Sequence, residues 1–190
     1  MIENFDTTTQ NILKSLEKTQ HDFWNISRVT GEFLYTLITA QKCQNIIEVG
    51  TSNGYSGIWI GKALKQTGGH LTTIEFYDKR QRIAKENFKK CGIDDIITPL
   101  QGDAGIILEY MPSDLEFDFA FIDANKRQYI DYFHFIDKHL KKGGIFAADN
   151  VLSHEEKVKT FIDEINNDSR YENVILNLPA GLSLARKITD

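Results

Sequence analysis

The chain holds few of the residues that mark special architectures. Only two cysteines occur in 190 residues. Cys43 and Cys91 lie far apart and lack the spacing of a metal cluster or a disulfide framework. They read as small buried residues of a reduced compartment. Only three prolines are present, and none marks a linker. No repeat or low-complexity tract interrupts the chain. No apolar run approaches the roughly 20 residues of a membrane span. Met1 to Gln20 is polar and carries acids, unlike a secretory leader. A cytosolic protein is the expectation. No basic run occurs and the formal net charge is -5. That argues against a nucleic-acid partner, whose phosphates need clustered Lys and Arg. The pairs Lys89-Lys90 and Lys141-Lys142 fall at predicted helix ends, where cations complement the helix dipole.

What is present suits one globular domain over residues 1–190. Apolar residues make up 41% of the chain, enough for a core. Residues 1–42 read as two helices and 43–190 as a sheet core. The pattern predicts strands at 45–49, 70–75, 96–100, 117–122 and 145–148. Helices are predicted between them, over 55–66, 79–91, 105–110 and 126–140. The last of these is expected to break at Gly143-Gly144. A helix over 155–165 follows. Two strands, 173–178 and 182–188, close the chain as a hairpin around Pro179-Ala180-Gly181. This alternation predicts an α/β, doubly wound Rossmann-like fold. Its sheet is mainly parallel and seven-stranded, with a C-terminal antiparallel hairpin and helices on both faces.

The most informative stretch runs from Ile46 to Gly57. It reads as a buried strand, a glycine loop and a helix start. The next strand ends at Glu75, whose two oxygens can accept both hydroxyls of a ribose. Gly50 and Gly54 suit a sharp turn and close approach to a ligand. A dinucleotide fingerprint places glycines at the first, third and sixth positions. Here the third position is Ser52, which disfavours NAD. The pattern Glu48-x-Gly50-x-x-x-Gly54 resembles motif I of class I S-adenosylmethionine-dependent methyltransferases.

Polar residues gather at the predicted carboxyl ends of five strands: Glu48 and Gly50, Glu75, Gly102-Asp103-Ala104, Asp123, and Asp149-Asn150. Ligands of such sheets bind at that edge. Asp103 is equally readable as a helix N-cap or as an adenine contact. Asp123, Asp149 and Asn150 offer three hard oxygen ligands with a total charge of about -2, as Mg²⁺ prefers. Two carboxylates packed together without a cation are costly. Lys126 follows Asp123 by three residues and reads either as a general base or as a surface lysine. His154 is a second candidate base or a helix-start residue.

Phe121-Ile122-Asp123-Ala124-Asn125-Lys126, Ala148-Asp149-Asn150-Val151 and Gly181-Leu182-Ser183-Leu184-Ala185-Arg186-Lys187 resemble the cation-dependent catechol and caffeoyl-CoA type O-methyltransferases, small bacterial relatives included. The resemblance covers residues 26–188. It implies that Glu48, Gly50, Ser56, Glu75, Asp103 and Ala104 hold S-adenosylmethionine, with Ser52, Gly54 and Gly102 of the same loops. Asp123 would touch both cofactor and metal. Asp149 and Asn150 would complete the site for a divalent cation, Mg²⁺ first, with Ca²⁺ or Mn²⁺ as alternatives. Lys126 would be the base, acting beside Asp123. The implied partner is a small aromatic compound carrying hydroxyls. Neither nucleic acid nor membrane is implied, and a homodimer is one open option for assembly. The chain departs from the family in its short N-terminal region and in the abbreviated turn 178–181. It also carries Asn125 where some relatives have an aromatic residue.

Rival readings make separate demands. An NAD-dependent oxidoreductase would need glycine at 52 and a hydride-site Tyr-Lys pair. An amino-group methyltransferase of nucleic acid would show an Asn/Asp-Pro-Pro-aromatic segment after strand four, where this chain has Asp123-Ala124-Asn125-Lys126. A metal-independent methyltransferase, or a non-catalytic binding protein of this fold, could lose the metal triplet.

Overall fold

A computed structural model describes residues 5–189. The chain enters through α1 (Thr7–Lys18), whose first turn is capped by the Asp6 carboxylate accepting from the Thr9 N–H at 2.9 Å. A short α2 (Gln20–Phe23) ends at Trp24, held at φ 55. The Ser27 hydroxyl caps α3 (Arg28–Gln41) by accepting from the Thr30 N–H at 3.1 Å. Three helices thus replace the two predicted. The cause is a break after Thr19, where the chain turns before the Ser27 cap.

Next come β1 (Asn45–Val49), α4 (Tyr55–Thr67), β2 (His70–Glu75), α5 (Asp78–Lys90), β3 (Ile97–Gln101) and α6 (Ala104–Glu109). The second half holds β4 (Phe117–Ile122), α7 (Tyr129–Asp137), β5 (Leu140–Asp149), α8 (Glu155–Asn167), β6 (Tyr171–Leu176) and β7 (Leu182–Lys187). The seven strands lie in the order β3-β2-β1-β4-β5-β7-β6. The first five are parallel, and β7 runs antiparallel to both β5 and β6.

The region 126–144 differs from expectation. Residues 126–128 form a tight 3₁₀ turn, and α7 ends at Asp137. Gly143-Gly144 does not break a helix, and Lys141-Lys142 does not end one. All four residues lie within β5. Leu140 pairs with Phe117 and Ile145 with Phe119, so the extra residues form a bulge, with Gly143 at φ 84. The helical spacing of Tyr132, Phe133, Ile136 and Leu140 concealed this early strand start.

Central strands are apolar on both faces: Ile46, Ile47 and Val49 in β1, Phe119 to Ile122 in β4, and Phe146 to Ala148 in β5 are all buried. One face packs against Leu34, Ile38, Trp59 and Phe88 of α3, α4 and α5. The other packs against Leu108, Tyr129, Phe133 and Phe161 of α6, α7 and α8. The strand order reverses between β1 and β4. The crevice beyond their carboxyl ends is where open α/β sheets bind ligands. No described helix is long and apolar enough to cross a membrane.

Candidate active site

The loop after β1 is built against its neighbours. Gly50 sits at φ 106, and a Cβ there would clash with the carbonyl oxygen of Asp123. Gly54 sits at φ 86, and a Cβ there would press into the Phe88 ring. These glycines therefore fit the loop to β4 and α5, a constraint that applies before any ligand arrives. Ser52 takes a left-handed φ of 48 without being glycine. Its hydroxyl donates to the Phe23 carbonyl at 3.0 Å, tying the N-terminal segment to the loop.

Glu75 is nearly buried at the tip of β2. Its Oε2 accepts the Ser52 N–H at 2.8 Å and its Oε1 accepts the Tyr77 N–H at 2.8 Å. The two bonds fix the plane of the carboxylate. Each oxygen keeps further lone-pair capacity toward the crevice. Glu48 lies deeper, with no exposure at all. Its oxygens accept from Ser56 Oγ at 2.6 Å and Thr73 Oγ1 at 2.5 Å. Burial pushes its carboxyl up to about 7, while the two hydroxyl donors pull the other way and Asp123 and Glu75 add repulsion. Gly102, at φ 147, donates its N–H to the Glu75 carbonyl at 2.9 Å. Asp103 caps α6, its Oδ1 accepting the Ile106 N–H at 3.2 Å, and Ala104 opens that helix.

At the other side of the crevice, the Asp123 N–H donates to the Val49 carbonyl at 2.9 Å. Lys126 Nζ lies 2.7 Å from Asp123 Oδ1, and both side chains are mostly buried. The lysine is therefore no free surface residue. Asp149 is 2% exposed, and its Oδ1 has no hydrogen-bond partner among the described residues. Desolvation first, then the charge of Asp123, raises its pKa. A buried anionic oxygen so placed calls for a proton or a cation. Asn150 follows at φ 66. Two carboxylates and an amide fit a hard divalent ion by donor type. Among the described residues, no three His, Cys, Asp or Glu side chains cluster as a metal set.

The Asn150 loop is held by the closing hairpin. Val151 N–H donates to the Gly181 carbonyl at 3.1 Å, and Leu152 and Ser153 N–H groups donate to the Ala180 carbonyl at 3.1 and 3.0 Å. His154 N-caps α8, and its Nδ1 lies 3.0 Å from Ser153 Oγ. Partial burial, followed by the positive charges of Lys126 and Lys157, lowers its pKa.

Three residues escaped the sequence reading. Tyr129 looked like one more apolar stripe residue. Its hydroxyl donates to the Asp149 carbonyl at 3.1 Å, and its ring lies 5.6 Å below Lys126 Nζ. A buried tyrosine needs a partner for its hydroxyl, and that rule was the available signal. Thr51 and Thr73 form the other omission, with hydroxyl oxygens 2.5 Å apart beneath the loop.

Residues 4–188 match the O-methyltransferase family. Catechol O-methyltransferase of Niastella koreensis is 33% identical over 133 residues, covering 67% of this chain and 58% of that protein. Caffeoyl-CoA O-methyltransferase of Populus kitakamiensis is 33% identical over 149 residues, covering 77% of this chain and 63% of that protein. These stretches are less than two thirds of either relative. The crystal structure of an O-methyltransferase from Bacillus cereus in complex with SAH superposes with TM-score 0.87 at 26% identity, covering 98% of this chain and 93% of that one. With a glycine loop, a buried carboxylate at the tip of β2 and a seven-stranded sheet of this order, the chain belongs to the O-methyltransferase family, the class that draws its methyl group from S-adenosylmethionine.

Proposed function

We propose that this protein methylates a hydroxyl of a small aromatic diol, catechol or caffeoyl-like. S-adenosylmethionine is the donor, and a divalent cation is held by Asp123, Asp149 and Asn150. One observation carries the reading: the buried, partnerless Oδ1 of Asp149 faces the negative charge of Asp123. The names of the Niastella and Populus relatives support the acceptor class.

On this reading Glu75 takes the ribose hydroxyls on the lone pairs its two N–H partners leave over. Gly50, Ser52, Gly54, Gly102 and Ala104 border the cofactor through their backbone. Asp103 adds the carboxylate oxygen outside its cap. Glu48 and Ser56 support the loop from below. In-line transfer asks the chain to hold the acceptor oxygen about 3–3.5 Å from the methyl carbon. When bound, Mg²⁺, Ca²⁺ or Mn²⁺ would lower the pKa of the acceptor hydroxyl. Lys126 Nζ takes the hydroxyl proton, and Asp123 Oδ1 receives the resulting ammonium 2.7 Å away. The two cysteines, buried and free, support a cytosolic setting.

A metal-independent relative is the competing reading. It is favoured by the same Lys126–Asp123 pair, which neutralises one proposed ligand. The two separate in a turnover assay on catechol with Mg²⁺ and then with EDTA. Loss of turnover with EDTA and its return with Mg²⁺ is expected. Turnover indifferent to EDTA overturns the cation role.

A further inference from the structure

Thr73 sits in mid β2 with no exposure, yet its hydroxyl serves two partners. It donates to Glu48 Oε2 at 2.5 Å and lies 2.5 Å from Thr51 Oγ1. A hydroxyl has one proton. With that proton directed at Glu48, the Thr51 hydroxyl is the donor to Thr73. While Glu48 is ionised the O–H bonds therefore run one way, from the glycine loop through β2 to the buried carboxylate. Ser56, in the first turn of α4, supplies the second donor to Glu48 at 2.6 Å. Thr51, Thr73, Glu48 and Ser56 are all buried. In a strand core valine would fill the same volume with no polar group to satisfy. The hydroxyl therefore has a polar task.

The upper end of this relay meets the ribose carboxylate. Thr51 precedes Ser52, whose N–H donates to Glu75 Oε2 at 2.8 Å. Ser52 is in the left-handed region at φ 48, a conformation that its surroundings must enforce. The Thr51 side chain is the anchor immediately before it. The Thr51 N–H adds a bond to the Ile74 carbonyl at 3.2 Å.

We propose that Thr73 is a positioning residue for the cofactor. Its hydroxyl fixes the glycine loop through Thr51 and so sets the Ser52 N–H that aims Glu75 at the ribose. This rests on the reading that Glu75 receives the ribose hydroxyls of S-adenosylmethionine.

A double-mutant cycle tests it, with S-adenosylhomocysteine binding measured by calorimetry on the full chain. Thr73→Val should weaken binding by up to about tenfold, within the worth of one lost hydrogen bond. Thr73→Ser, which restores the hydroxyl, should bind within about twofold of wild type. In a Glu75→Gln background the Thr73→Val change should cost less than about threefold, because its route of action is already impaired. Penalties that simply add, or a serine variant that fails to rescue, overturn the proposal. Should Thr73→Val not fold, Thr51→Val breaks the same relay at its loop end and completes the cycle. A wild type that ignores S-adenosylhomocysteine overturns the cofactor reading itself, before any variant is compared.

Discussion

Gly50 and Asp123 share one volume: the space a side chain on Gly50 would need is filled by the carbonyl oxygen of Asp123. The Asp123 N–H is tied to Val49 one residue earlier, at 2.9 Å. The glycine loop and the loop carrying the proposed metal ligand are thus packed as one unit. Gly50→Ala meets both a clash and a left-handed φ of 106. It should cost at least about 2 kcal/mol. Urea unfolding checks this, and a midpoint equal to wild type would contradict the packing.

Glu75 gives a second expectation. Glu75→Ala removes a charged acceptor and strands two backbone N–H groups. Binding of S-adenosylhomocysteine should weaken by about 1–3 kcal/mol. Titration calorimetry reads this directly, and tight NAD binding by wild type would count against the whole assignment.

Lys126→Met keeps most of the length of the side chain and removes the proton acceptor. Turnover on catechol should fall by about 10²–10⁴, the usual worth of general base catalysis. Affinity for S-adenosylhomocysteine should hold, because the lost interaction belongs to the transition state. A pH–rate profile identical to wild type would make the lysine a bystander.

Glu48 makes stability depend on pH. Its carboxyl is raised from 4.5 to about 7, chiefly by burial. The folded state then holds this proton more tightly than the unfolded chain. The contribution is fully present below 4.5 and is lost as pH rises through about 7. Glu48→Gln stays neutral and lacks that slope. Between about pH 5 and 8, wild type should lose up to roughly 3 kcal/mol relative to the variant. Unfolding midpoints at the two pH values decide it, and parallel behaviour of the two proteins would refute the buried-charge account.

Much of the fold was legible in the sequence because buried parallel strands are continuous apolar runs. Phe117 to Ile122 needed no context to be placed. The strand tips followed, since Glu75, Asp103, Asp123 and Asp149 each end such a run or stand just beyond it. The early start of β5 was not legible: Leu140 continues a helical stripe, and only its pairing with Phe117 shows it to be strand. The Thr51–Thr73 contact was hidden for another reason. Threonine in a strand reads as a β-branched residue, and its polar partner lies 22 positions away. Asp149 lacks a partner for Oδ1 only because β5 buries it, and burial of one atom leaves no trace in spacing.

The hairpin turn that grips Val151, Leu152 and Ser153 sets an order of events in the life of the chain. Gly181 admits no Cβ because Leu152 fills that space, so turn and loop fit only in each other's presence. The glycine loop has its strand partners by residue 122, and α5 is complete before that. The Asn150 loop must wait until residues 180 and 181 have been made. A nascent chain can therefore shape its glycine loop well before it can shape the loop of Asn150.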